Sequence, residues 1–310
     1  MKYTHWFEIL DPRFQHLVLP NVHVDHLYSG GRWLEGPVYV PAARHLLFSD
    51  IPNNRVLRYN ECDDTVSEFM RPSNFANGHT LDPEGRVVAC EHQTRCVVRF
   101  EHDGSRSILA DRFMGQRLNS PNDVVVDNKG YIWFTDPTYG ISTEYEGARS
   151  ESEIGSRNVF RLDPDCSLRA VITYLEQPNG LAITPDGKTL FVVDSGTTPA
   201  RLMSFALTTD RTPINGRVLR TCDPGMYDGF RLDQEGNIWT SAGDGVHCIS
   251  AEGDLLGKIL IPETVSNVCF GGPAGNRLFI TATRSLFAVY LNTASPRSAP
   301  TDLSQPSEVH

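Results

Sequence analysis

No stretch of the 310-residue chain approaches the roughly 20 uninterrupted apolar residues that a bilayer-spanning helix needs. The opening MKYTHWFEILDPRFQH has no continuous apolar segment of the kind a secretory leader carries, so a cytoplasmic protein without a leader is expected. Cysteine is sparse: seven residues, an odd number, irregularly spaced and without a C-x-x-C pair. That argues against a disulfide framework or a zinc knuckle and suits reduced thiols. Basic residues are outnumbered, 28 Lys and Arg against 38 Asp and Glu, for a net charge of −10. A nucleic-acid partner, which wants basic patches, is not expected, and neither is a membrane partner. No G-x-S-x-G elbow is present, since Asp194-Ser195-Gly196 lacks the first glycine, and the ten histidines form no H-E-x-x-H. Long stripes at helical spacing are missing as well, so helices should be few.

What the chain does have is repetition. Five segments, LDPEGRVVAC, VDNKGYIWFTD, TPDGKTLFVVD, LDQEGNIWTSA and GPAGNRLFITA, place a turn glycine before a short apolar run. The glycines are Gly85, Gly130, Gly187, Gly236 and Gly275, and a sixth segment, VPAARHLLFSD, has Ala43 at that place. Successive turns are 42, 45, 57, 49 and 39 residues apart. A period in the forties made of short β-rich runs and Gly/Asp/Asn turns is the signature of a four-stranded propeller blade. Six copies predict an all-β, six-bladed β-propeller forming a single domain over residues 1–292. Residues 1–34 are expected to pack on the rim or complete a blade, since a strand from one terminus usually closes the ring, and the sequence does not decide which terminus. Residues 293–310, rich in Pro and Ser, are expected to be a disordered polar tail.

Eight residues before each turn position stand Glu35, Asn77, Asn122, Asn179, Asp228 and Asn267. In a propeller the innermost strand of each blade runs along the central channel. A residue repeated in one register therefore faces the axis from six directions, and these six should form a ring at one mouth of the channel. Two carboxylates and four amides offer oxygen donors, which suit a hard divalent cation, Ca²⁺ first and Mg²⁺, Mn²⁺ or Zn²⁺ as other candidates. Without a cation, two carboxylates gathered in one channel would repel. Taken singly, Asn77-Gly78, Asn179-Gly180 and Asp228-Gly229 read as ordinary turns. The shared offset is what argues for a ring. His79, two residues beyond Asn77, is placed to reach the mouth. Tyr139, in the loop after Asp136-Pro137, is placed to wall a pocket. The charged stretch 141–157 reads as a mobile lid over it.

The segments WLEGPVY (33–39), RLNSPNDVVVD (117–127), WFTDPTYGI (133–141), QPNGLAITPDGK (177–188), DGFRLDQEGNIW (228–239) and FGGPAGNRLFIT (270–281) together resemble the gluconolactonase branch of the senescence-marker-protein/gluconolactonase/luciferin-regenerating-enzyme family. The resemblance spans about residues 30–292. It implies a six-bladed propeller with one divalent metal and lactone hydrolase activity on a small molecule. The family's metal ligands, a Glu, an Asn and an Asp, fall on Glu35, Asn179 and Asp228, and a further Asn facing metal and substrate falls on Asn122. Ser120-Pro121 stand where some relatives carry an Arg that contacts a sugar-derived substrate.

The chemistry expected on these grounds is attack of water on a lactone carbonyl polarised by the metal, with Asp228 as general base and Glu35 next in line. Asn122, Asn77, His79 and Tyr139 are the candidate substrate contacts. Two other classes stay open: a propeller that binds a partner across its face, against which stands the lack of any Trp-Asp pair, and a propeller whose metal is structural. Hydrolysis of other esters or organophosphates also remains possible, because fold alone does not select an electrophile.

Overall fold

The computed structural model describes residues 5–296 and contains six antiparallel sheets arranged as blades, besides a two-residue hairpin at 112–117. Each blade begins with its innermost strand and steps outward along the chain. The inner strands are Leu34–Val40, Ala76–Leu81, Val124–Val126, Pro178–Ile183, Phe230–Leu232 and Val265–Gly271. They contact one another in cyclic order, and the sixth returns to the first, so the ring is closed. One four-residue α-helix, Tyr139–Ser142, and three 3₁₀ turns are the helices among the described residues.

The repeat is visible because one device joins the first two strands in three of the six blades. In the second blade Asp82 Oδ1 accepts from the backbone N–H of Glu84 and Arg86, and the Gly85 N–H returns to the Asp82 carbonyl. Gly85 then takes φ +78°, a left-handed conformation that costs a residue with a Cβ about 1–2 kcal/mol. Asp127 and Asp233 repeat this capping in the third and fifth blades. In the first blade Pro41–Ala43 form a 3₁₀ turn, and the left-handed position moves one residue on, to Arg44 at φ 48°. That is why Ala is tolerated at the glycine register there.

The core lies in wedges between adjacent blades. Leu34, Phe48 and Tyr59 of the first blade pack on Phe279 and Leu286 of the sixth, with Tyr39 stacked on Phe279 at 5.8 Å between ring centroids. Each such aromatic contributes about 1.5–3 kcal/mol by burial. The N-terminal segment closes the ring from outside. Phe7–Ile9 adds a fifth strand to the fifth blade by pairing with Leu255–Leu260, and Phe14 is fully buried against Trp239. Asp25–Ser29 then becomes the outermost strand of the sixth blade, pairing with Ser285–Tyr290, before the chain enters the first blade at its centre.

At the other end, packing runs past the expected tail boundary of 293. Thr293 is buried, Ala294 accepts from the Gln234 N–H, and the Ser295 N–H bonds to the Gly275 carbonyl. The remainder of the predicted tail, from residue 297 on, lies outside the described residues. All seven cysteines are unpaired thiols. No helix among the described residues is long and apolar enough to cross a membrane.

Candidate functional site

In every blade the sheet ladder is interrupted at the ring residue. Strand pairing shifts register beside Glu35, Asn77, Asn179 and Asn267, as at β-bulges, and in the third and fifth blades the inner strand starts only after Asn122 and Asp228. Bulges at strand ends re-aim a side chain and release backbone groups from the sheet. The released groups bond across to the next blade. Gly78 N–H reaches the Asn122 carbonyl (2.8 Å), Gly180 N–H the Asp228 carbonyl (3.1 Å), and Gly229 N–H the Ser266 carbonyl (2.8 Å).

This contact is why glycine follows four of the six ring residues. A Cβ on Gly36 would stand 1.8 Å from the Asn77 carbonyl oxygen, and one on Gly180 would stand 2.3 Å from that of Asp228. The Asn-Gly and Asp-Gly pairs that read singly as hairpin turns are thus the points where inner strands press together.

Five ring residues, Glu35, Asn77, Asn122, Asn179 and Asp228, line one pocket of about 300 Å³. Trp33, Tyr139, Tyr145, Glu146 and Met226 form the rest of its wall. The sixth ring residue, Asn267, does not line it. Its amide donates to Glu35 Oε2 (3.0 Å) while its own oxygen accepts from the Val268 N–H. Asn267 therefore orients Glu35 from behind, and the Gly36 N–H holds the same carboxylate oxygen. Asn179 donates to Ser195 Oγ (3.1 Å), which is shared with the Tyr139 hydroxyl (2.7 Å). Tyr139 thus stands in the wall as expected from the sequence.

His79 stands apart from the pocket. Two residues along an inner strand is about 6–7 Å deeper in the channel, and there its buried ring bonds through Nδ1 to the Gly36 carbonyl (2.8 Å). A different histidine backs the site. His92 is fully buried, which pushes its pKa down to about 4 and keeps the ring neutral. Its Nδ1 donates to the Glu146 carbonyl (2.8 Å), leaving Nε2 to accept from the Asn77 amide (3.4 Å).

The electrostatics are set by carboxylates. Burial first, then the nearby charge of Asp123, pushes the Glu35 carboxyl up to about 7, against the lowering hydrogen bonds from Asn267 and Gly36. Asp228 is raised well above the ordinary carboxylate range, by burial and then by the charge of Glu35. Glu146 is raised by burial alone. The pocket lining contains no Arg, Lys or His. Near the ring, Arg231 of the fifth blade pairs with Asp123 of the third (3.2 Å). Sequence reasoning passed over this pair, although three residues after each ring position the other blades carry Val38, Thr80, Val125, Ala182 and Phe270, so Arg231 breaks that pattern.

The stretch 141–157 is tied to the body at several points. Ala148 N–H bonds to the Gly140 carbonyl, Ser152 Oγ donates to Asn119 (2.6 Å), and Glu153 accepts from the Arg117 N–H (2.9 Å). The expected mobile lid is in this structure a docked wall, pinned by bonds that its charged composition does not reveal.

Among the described residues no three His, Cys, Asp or Glu side chains meet as a metal cluster. The ring instead sets two carboxylates among amides. A larger hollow of about 430 Å³, lined by Asp25, His26, Leu27, Asp64 and Arg277, contains no ring residue. Its one cation, Arg277, is already shared by Asp25 and Glu61.

Fold and site together define a closed six-bladed propeller with an acidic, amide-rimmed pocket at the ends of its inner strands. The chain belongs to the SMP-30/gluconolactonase/LRE-like family, whose model matches residues 33–284. It is 31% identical to a gluconolactonase of Zymomonas mobilis, over 91% of this chain and 85% of that one. A solved gluconolactonase from Xanthomonas campestris superposes with a TM-score of 0.87 at 36% identity, covering 92% of this chain and 94% of its own. A regucalcin of Xenopus laevis is 28% identical over 80% of this chain and 82% of that one.

Proposed function

We propose that the chain is a lactonase that opens its substrate in the pocket at the channel mouth, with one divalent cation held by Glu35, Asn179 and Asp228. The observation that carries this reading is the meeting of two carboxylates and three amides, from five different blades, around a single pocket. Family membership, with relatives named for gluconolactone hydrolysis, supports the choice of reaction.

The donor set fits the cation. Glu35 is buried and Asp228 partly so, and burial, then the charge of Glu35, raises the Asp228 carboxyl well above the ordinary range. A divalent ion would balance both charges and remove the repulsion between them. Oxygen-only donors of mixed carboxylate and amide type favour Ca²⁺, with Mg²⁺, Mn²⁺ and Zn²⁺ as alternatives. When bound, the cation supplies positive charge that polarises an ester carbonyl and offsets the negative charge developing on its oxygen.

The side chains supply the rest. Asp228 takes the proton of the attacking water. The water oxygen bonds to the carbonyl carbon, the ring C–O bond breaks, and the proton passes to the departing alkoxide. The product is a hydroxy acid, which ionises, so turnover releases acid. Glu35, fixed by Asn267 and the Gly36 N–H, is suited to holding charge rather than moving a proton. Asn122 and Asn77 orient the substrate, and Tyr139 with Trp33 screens it from bulk water. His79 takes no part.

Acid release at constant pH from a panel of γ- and δ-lactones, including glucono-1,5-lactone, tests the reaction. Acceleration over the uncatalysed rate is expected for at least one of them. Acceleration of none, with Ca²⁺ present, would overturn the lactonase reading.

A further inference from the structure

Three carboxylates line the pocket, and they are not equivalent. Glu35 is bonded to Asn267 and the Gly36 N–H, and the Asn179 side chain favours the charged form of Asp228. The Glu146 carboxylate accepts no hydrogen bond and meets no cation among the described residues, and it is half-buried in the pocket wall. A carboxylate in a pocket wall with no partner of its own has its lone pairs free for hydroxyl donors of a bound molecule. The Glu146 backbone is fixed independently of its side chain: its carbonyl accepts from His92, and two residues on Ala148 bonds to Gly140. The carboxylate is thus presented to the pocket from a rigid support.

Charge counting sharpens the point. A divalent cation between Glu35 and Asp228 leaves those three groups neutral, and no Arg, Lys or His lines the pocket. Glu146 is then the uncompensated charge that a substrate meets.

We infer that Glu146 is a specificity residue: it accepts hydrogen bonds from hydroxyl groups of a neutral, polyhydroxylated lactone and repels lactones that carry a negative charge. The inference rests on the lactonase reading and adds the charge class of the substrate to it. Trp33, Tyr145 and Met226 add apolar surface to the same lining, suited to the C–H face of such a ring.

The test compares the unaltered chain with Glu146→Gln on two probes, glucono-1,5-lactone and the same ring carrying a 6-phosphate, with Ca²⁺ present. Glutamine keeps shape and backbone but removes the charge. For the neutral lactone KM should rise about fivefold, with the change carried by KM rather than kcat, as for replacing a charge-assisted hydrogen bond by a neutral one. For the phosphorylated lactone kcat/KM should rise about tenfold or more, because a like-charge juxtaposition is relieved. An unchanged ratio of kcat/KM between the two probes would overturn the assignment. So would a fall of about 100-fold in kcat on both, which would make Glu146 a proton-transfer group. A thermal unfolding midpoint equal to that of the unaltered chain guards against misfolding as the cause. No turnover of the neutral lactone by the unaltered chain would overturn the lactonase reading itself, and this assignment with it.

Discussion

Asp228→Asn is expected to lower kcat for lactone opening by about 10³-fold or more while leaving the propeller folded. Two effects combine: loss of the proton acceptor, which is typically 10²–10⁴-fold, and loss of one of the two negative charges that hold the cation. The fold should not suffer, because the backbone of Asp228 makes the structural contacts. Its N–H donates to Ser241 Oγ (2.8 Å) and its carbonyl accepts from Gly180 (3.1 Å), and neither depends on the side-chain charge. Removing the charge also relieves the repulsion with Glu35, so the unfolding midpoint in chelator should stay level or rise. Steady-state kinetics with Ca²⁺ present, together with Ca²⁺ titration calorimetry, measures both effects. A variant within about tenfold of the normal kcat would remove Asp228 from the role of base.

The second large effect is on stability. Gly36→Ala should destabilise the chain by about 2–5 kcal/mol. Part is local, since Gly36 has φ +53° and the left-handed region costs a residue with a Cβ about 1–2 kcal/mol. The larger part is the collision, because the new Cβ would lie 1.8 Å from the Asn77 carbonyl oxygen and 2.9 Å from Gly78 Cα, all rigid backbone. Overpacking of that kind adds about 1–3 kcal/mol. Gly85→Ala is the control: its φ is +78° but nothing lies within 4 Å of the added atom, so only the local cost of about 1–2 kcal/mol applies. Denaturant midpoints of the two variants separate the effects. Equal losses would mean that the first and second blades do not press together at the ring.

The blade register is legible because a turn ending on a left-handed glycine, capped by aspartate in three blades, recurs in five of the six at a fixed distance from the inner strand. The same regularity sets the six ring residues in one register along the sequence. What each does there depends on contacts far apart in sequence. Asn267 shares the register of Asn179 but turns its amide onto Glu35, 232 residues away, rather than into the pocket. His79 is near Asn77 in sequence, yet strand geometry carries it out of the pocket. Trp33, Tyr145, Glu146 and Met226 sit on connections whose course no periodicity describes, so nothing local marked them as pocket wall. The closing strand Asp25–Ser29 was obscure for a similar reason: its partner lies at the other end of the propeller. Arg231 is the exception, a charged residue in an otherwise uncharged register, and that signal was present to be read.

The account turns on the ring and the hydrolysis being one site. The most direct measurement is acid release from the best lactone by chelator-stripped protein as Ca²⁺ is added back in steps. Activity near zero in chelator, rising with Ca²⁺ to a plateau at one ion per chain, is the predicted result. Full turnover in the stripped protein, unchanged on adding Ca²⁺, Mg²⁺, Mn²⁺ or Zn²⁺, would contradict it.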